Sequence, residues 1–221
     1  MGNFNKKSNM VGSIVANGQT YLTGAATGEL FVWNGPTLSK VAAKNHSKLI
    51  DAITVQDGLI FTGGRDAKIF ALDANTYATK FSIDCAATFT GSSSANIRGI
   101  SYSQTKKKLM VGTFGHEVWE VPCKLKENIV GKPNCLIKGH YAPLNKWNNE
   151  CWGLATFPSK DKYATCSWDQ TLRIWDTATR KMDKCIDLKL DAKGQKIPVD
   201  AKTKEPGKDV WASSVDISPN G

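Results

Sequence analysis

The sequence predicts an all-β fold in which small four-stranded antiparallel sheets stand side by side around an axis. Three observations predict it. Residues 163–176 (YATCSWDQTLRIWD) read as two short strands and a tight turn. Small, β-branched and aromatic residues fill the strand positions, and polar residues stand where the chain must reverse. A hairpin this short buries no core by itself, and it recurs. Residues 22–34 (LTGAATGELFVWN), 61–73 (FTGGRDAKIFALD) and, less closely, 110–122 (MVGTFGHEVWEVP) align with it without a gap. The copies also keep a period: from Thr23 to Thr62, Val111 and Thr165 the steps are 39, 49 and 54 residues. Self-similarity near 40–45 residues that ends in Trp-Asp marks a β-propeller blade, and the longer steps imply loop insertions. In this frame Trp33, Leu72, Val121 and Trp175 are equivalent, as are Gly24, Gly63, Gly112 and Cys166.

Taken in order, residues 1–9 are polar and lie outside the repeat. The first blade covers 10–45: a strand in MVGSIVANG, the hairpin through Gly28 to Trp33, and an outer strand over 38–43. The second covers 46–85, with strands at 51–55, in the hairpin ending at Leu72-Asp73, and at 78–83. The small polar stretch CAATFTGSSSA, from Cys85, is expected to be a loop. The third blade, 96–138, opens with IRGISYS and runs through LMVGTFGHEVWEV. In the long connection after it only 134–138 has the look of an outer strand. The fourth, 139–188, starts at Cys151-Trp152-Gly153-Leu154-Ala155 and ends with a strand at 183–188. Residues 189–208 are too polar to pack and predict a surface loop. Residues 209–221 predict the first strand of a fifth blade, with Ser218-Pro219-Asn220-Gly221 as its turn. Four blades and one further strand imply a segment of a larger propeller, an incomplete ring whose sheet edges need covering.

Composition narrows the function. Hydrophobic residues make up 41% of the chain, enough for a core, and the net charge of +9 suits either an acidic partner or a lysine-rich surface. No apolar run approaches the ~18–20 residues that span a bilayer, and the N-terminus lacks a signal-peptide core. A membrane partner is not expected. The six cysteines show neither CxxC spacing nor a histidine at zinc-finger distance, so no metal or cofactor is expected.

One set of polar residues stands out. His140, Thr165, Asp169 and Trp175 fall in the entering loop, second strand, turn and third strand of the fourth blade. There they can satisfy one another as a chain from carboxylate to imidazole to hydroxyl to indole. The second blade keeps His46, Thr62 and Asp66 with Leu72 in place of the indole, and the first keeps Thr23 and Trp33. The third has Val111, Gly115 and Val121 at these positions and is expected to rely on packing. A Thr/His/Asp set also fits a nucleophile and its base, with Thr165 attacking. Recurrence of the same positions in a second blade, and a hydroxyl pointing into a sheet, favour a structural role. With no Gly-rich phosphate loop, paired carboxylates or metal cluster, no catalytic residue is assigned.

A candidate partner surface comes from the position before the turn, held by Ala26, Arg65, Phe114 and Trp168 on one face of successive blades. Arginine and aromatic residues dominate binding energy at interfaces, so Arg65, Phe114 and Trp168 are the candidates. Lys106, Lys107 and Lys108 form a basic turn that, with the lysines of 181–208, suits acidic tails or phosphates; a solvated face is the alternative.

Trp175-Asp176 and Gly139-His140 resemble the signature dipeptides of WD40 repeats. The stretches GELFVWN, GGRDAKIFALD, IRGISYSQTKKKLMVGT and CWGLATFPSKDKYATCSWDQTLRIWD, in that order, resemble echinoderm microtubule-associated protein-like (EMAP-like) proteins over nearly the whole chain. WGLATFPSKD, residues 152–161, carries most of that likeness. The resemblance implies a tandem pair of propellers that engages tubulin or microtubules, in the cytoplasm on the cytoskeleton, with no enzymatic activity. The family's coiled coil has no counterpart, since no heptad pattern runs anywhere in the sequence, nor has the hydrophobic motif that precedes its propellers. The expected function is a non-enzymatic protein-interaction scaffold. The alternative is a basic WD40 scaffold of a nucleic-acid-associated complex such as one in ribosome assembly.

Overall fold

Short runs of β-branched, aromatic and small residues, broken by glycine and aspartate, leave the chain little choice but short strands and tight reversals. A computed structural model describes residues 10–127, 129–140, 150–191, 193–195 and 212–221. The first sheet contains β1 (Val11–Asn17), β2 (Thr20–Ala25), β3 (Glu29–Asn34) and β4 (Thr37–Lys44) in that order. The second contains β5 (Ile50–Gln56), β6 (Leu59–Gly64), β7 (Lys68–Asp73) and β8 (Thr79–Asp84). One helical turn, α1 (Cys85–Thr88), follows. The third sheet has β9 (Ile97–Ser103), β10 (Lys108–Thr113) and β11 (Glu117–Lys124), with β12 (Ile129–Val130) and β13 (Asn134–Lys138) both pairing β11. The fourth contains β14 (Cys151–Thr156), β15 (Lys162–Ser167), β16 (Thr171–Asp176) and β17 (Met182–Asp187). Every pairing is antiparallel, and each joins strands consecutive in the chain except that of β11 with β13.

The hairpin between the second and third strands closes the same way in all four blades. Gly28, Ala67, His116 and Gln170 each donate their amide to the carbonyl three residues back, at 3.1–3.3 Å. Each also has positive φ, between 58° and 88°. A type I turn followed by a left-handed residue is the three-residue hairpin loop. Glycine is required at Gly28, where a side chain would strike the carbonyl of His46. The first strands share a second feature. Between Val11 and Ser13, Ile50 and Ala52, Ile97 and Gly99, and Cys151 and Gly153 the register slips by one residue. Gly12, Asp51, Arg98 and Trp152 are the extra residues, and a bulge re-aims the side chain it carries.

Adjacent blades interlock through a glycine notch. An added Cβ at Gly24 would lie 2.5 Å from Cβ of Ile50, and one at Gly112 would lie 2.8 Å from Sγ of Cys151. At Gly63 it would collide with Ile97. Ile50, Ile97 and Cys151 are equivalent first-strand residues, so each blade seats its opening strand in the notch of the blade before. Leu22, Leu30, Ile60 and Leu72 pack with Ile50 at the first such interface. Phe61, Ile69, Leu109 and Val121 pack with Ile97 at the second, and Met110, Tyr163 and Trp175 with Cys151 at the third.

Two expectations need correcting. The stretch after Asp84 is not all loop: Asp84 accepts the Ala87 amide at 3.1 Å and caps α1. The connection after the third blade holds β12 and a 3-10 turn (Leu125–Glu127) besides β13, because β11 runs on through Pro122 to Lys124. Residues 212–221 pair in no ladder among the described residues, and Val215 abuts Gly153, where the opening strand of a fifth blade would lie. Residues 1–9 and most of the 189–208 loop lie outside the described residues.

Filling a notch tests the interlock. Gly63→Ala should cost about 1–3 kcal/mol, the usual penalty of overpacking, read as a lower urea midpoint. Gly18→Ala is the comparison for an open position: nothing lies within 4 Å of its Cβ, so any loss there reports only the strain of its φ of +59°, which Gly63 does not share. An unchanged midpoint in Gly63→Ala would show that the blades are not tightly seated.

Candidate functional site

The fourth-blade residues meet in one chain of hydrogen bonds. Trp175 Nε1 donates to Thr165 Oγ1 at 2.8 Å, and Thr165 Oγ1 lies 2.7 Å from His140 Nε2. His140 Nδ1 lies 2.9 Å from Asp169 Oδ2. The consistent assignment is a neutral imidazole that accepts from threonine and donates to aspartate. Asp169 also takes the Thr171 amide and hydroxyl and the Arg173 guanidinium. It therefore fixes the turn that Gln170 closes. Thr165 is fully buried and both its neighbours are protein groups, so its hydroxyl is committed to the sheet.

The second blade repeats the arrangement: His46 Nδ1 to Asp66 at 2.9 Å and His46 Nε2 to Thr62 at 2.9 Å. Phe70 meets His46 edge-on, 4.8 Å between ring centroids, at the position Arg173 holds in the fourth blade. Burial pushes the His46 pKa below its ordinary value, against the pull of Asp66. Burial alone would raise Asp66, but hydrogen bonds from His46 and the Ser47 amide outweigh it and hold the carboxyl low. In the first blade Trp33 Nε1 donates to Thr23 at 2.8 Å.

The third blade departs from expectation. It does not rely on packing, because Glu117, fully buried, replaces the missing network. Its carboxylate accepts from Thr113 Oγ1 at 2.9 Å, the Ser93 amide at 2.8 Å, Trp119 Nε1 at 3.4 Å and the Ser92 hydroxyl. Trp119 in turn stacks on Phe89, which follows α1, at 4.5 Å.

At the mouth of the blades, the bulged residues and the pre-turn residues form a second cluster. Arg98 Nη1 bonds Asp51 at 2.5 Å and Arg98 Nη2 bonds Glu150 at 2.9 Å. Arg65 joins the same Asp51 at 2.8 Å. The Arg98 guanidinium lies over the Trp152 ring at 4.1 Å and over Phe114 at 5.0 Å. Trp152 stacks on Trp168, centroids 4.5 Å apart and planes 12° off parallel. Burial lifts the Glu150 pKa, opposed by Arg98. The structure thus gathers Arg65, Phe114 and Trp168 on one surface and joins them through Asp51, Arg98, Glu150 and Trp152, which the sequence reading passed over. Aligning the opening strands on their bulge would have found three of these four.

The basic turn looks different. Lys106 pairs with Asp161 at 2.6 Å and Lys108 with Glu120 at 2.9 Å. Lys107 bonds Gln104. Two of the three charges are thus balanced by carboxylates on the protein itself.

A family model described as "WD domain, G-beta repeat" matches residues 131–176, the stretch that holds His140, Thr165, Asp169 and Trp175. Over that stretch the chain matches a WD40 repeat. Its relatives include the ciliary WD repeat-containing protein ctxp80 of Euplotoides octocarinatus, 24% identical over 159 residues, 72% of this chain and 19% of that protein. Mouse echinoderm microtubule-associated protein-like 2 is 25% identical over 168 residues, 74% of this chain and 23% of the relative. The human protein-like 3 is 26% identical over 185 residues, 76% and 18%. The chain therefore resembles the EMAP-like proteins and spans about a fifth of their length. Among solved structures, U3-55K superposes with a TM-score of 0.62 at 14% identity, over 83% of this chain and 53% of that one. A chain of the mitotic checkpoint complex gives 0.61 at 15%, over 85% and 54%. These likenesses show the fold, a β-propeller of four-stranded blades.

Two outcomes test the networks. Thr165→Val should destabilise the chain by about 2–4 kcal/mol, because Trp175 Nε1 and His140 Nε2 both lose their partner while buried. Thr165→Ser should recover most of that in urea unfolding. The second concerns pH. His46 binds a proton less readily folded than unfolded, so the unfolded chain carries more protons as pH falls through about 6.5, and stability must drop. The urea midpoint should decline from about pH 7.5 to 5.5, and His46→Asn should flatten that decline relative to wild type. Asp66 adds a further loss only at more acidic pH, as its lowered folded pKa is crossed.

Proposed function

We propose that this WD40 chain is a non-enzymatic protein-interaction scaffold of the microtubule cytoskeleton, working in the cytoplasm through the mouth of its blades. The single observation that carries the scaffold role is the aromatic–guanidinium stack of Trp168, Trp152, Arg98 and Phe114, drawn from two blades and tied to a third by Asp51. Aromatic and arginine side chains on a rigid sheet edge are the anchors that dominate interface energies. Tubulin or microtubules as the partner rests on the likeness to the EMAP-like relatives, whose names describe them as microtubule-associated. Nucleic acid is the competing partner suggested by the net charge of +9. Internal pairing of Lys106 and Lys108 weakens that reading, since paired lysines release fewer counterions from a phosphate backbone.

Co-sedimentation of the chain with polymerised tubulin, beside filter binding to RNA, tests the proposal. Tubulin should capture the chain and RNA should not. Trp168→Ala combined with Arg65→Gln should weaken capture at least tenfold, the loss expected of interface anchors, while the circular dichroism spectrum stays that of the wild type. RNA retention without tubulin capture would overturn the microtubule assignment. Capture that survived both substitutions unchanged would move the binding surface elsewhere.

A further inference from the structure

Two buried nitrogen donors at the mouth lack an acceptor among the described residues: Arg98 Nε and Trp152 Nε1. Arg98 is a charged residue with only 5% of its surface exposed. Its two terminal nitrogens are engaged by Asp51 and Glu150, which leaves the Nε nitrogen without a partner. Both Arg98 and Trp152 line a cavity of about 470 Å³ bounded by the opening strands of the four blades and by Ser213, Ser214 and Asp216. Buried N–H groups without partners are uncommon because each forfeits its hydration. Two of them beside one cavity, on side chains stacked against each other, point to a ligand.

The chemistry of that ligand follows from the charges around it. Arg65 and Arg98 face Asp51 and Glu150, and Asp216 on the cavity wall adds a third carboxylate, so the cluster offers no surplus positive charge to an incoming carboxylate or phosphate. A cation would meet the N–H groups head-on. An uncharged carbonyl oxygen accepts from both donors without burying a new charge. Phe114, 39% exposed, and Trp168 continue the stack beyond the cavity and supply an apolar shelf for what is attached to that carbonyl. We propose that the mouth is a socket for an uncharged carbonyl acceptor, a main-chain carbonyl or side-chain amide on an extended segment of a partner protein. The proposal rests on the scaffold reading and names what the scaffold grips.

The test uses the whole ¹⁵N-labelled chain and no tubulin, so its failure is distinguishable from a failure of microtubule capture. The Trp152 indole resonance is the one lost in Trp152→Phe, and the Arg98 Nε resonance, lost in Arg98→Lys, is an independent second probe. Titration with N-methylacetamide should move both resonances downfield along a saturating curve. The other six tryptophan indoles should drift linearly or stay still. Sodium acetate at matched concentration and ionic strength should leave both in place. Linear drift of Trp152 and Arg98 with N-methylacetamide would overturn the socket and leave solvent as the only occupant. A larger saturable shift with acetate would overturn the uncharged ligand and make the mouth an anion site.

Discussion

The close approach of each opening strand to the blade before it governs the rest of the molecule. Ile50, Ile97 and Cys151 fit only because Gly24, Gly63 and Gly112 have no side chain. Apolar burial supplies the attraction across these seams, roughly 25 cal/mol for each Å² removed from water, and the notches set how near the blades can come. That nearness places a bulge of one blade within hydrogen-bonding distance of the next. Asp51, Arg98 and Trp152 come from three different blades yet form one cluster, because the same backbone slip recurs at each seam.

Within each blade the recurring need is different. Bringing three strands and a turn together buries polar groups that must find partners. The second and fourth blades meet the need with neutral imidazole between threonine and aspartate. The third meets it with a carboxylate fed by hydroxyls, an amide and an indole. Donor and acceptor roles are exchanged, but every buried group of the network is still paired. The constraint is satisfaction of hydrogen bonds, and residue identity is free to vary under it.

This explains what could be read from the sequence and what could not. Strand positions and the Thr/His/Asp/Trp spacing were legible because they recur in a fixed frame, where period 2 and turn chemistry leave visible marks. Glu117 was missed because its place in the frame, shared with Glu29, Lys68 and Thr171, is not one of the Thr/His/Asp/Trp positions, and its partners Ser92 and Ser93 sit in a stretch read as plain loop. The bulged residues were missed because a one-residue slip leaves no compositional trace, and the turn between the first two strands varies in length from blade to blade. The loop residues Cys85–Thr88 became helical through a cap, Asp84, that only the folded geometry brings into play. Lys106 and Lys108 read as a free basic run because their carboxylate partners are remote: Asp161 belongs to the next blade and Glu120 to the facing strand.

Arg98 belongs to the third blade, bonds a carboxylate of the second, and lies flat on an indole of the fourth. A side chain shared in this way acts as a rivet through three plates. Load applied to any one rim is carried to the other two, so whatever presses on this end of the molecule meets a single stiff platform and not three independent flaps.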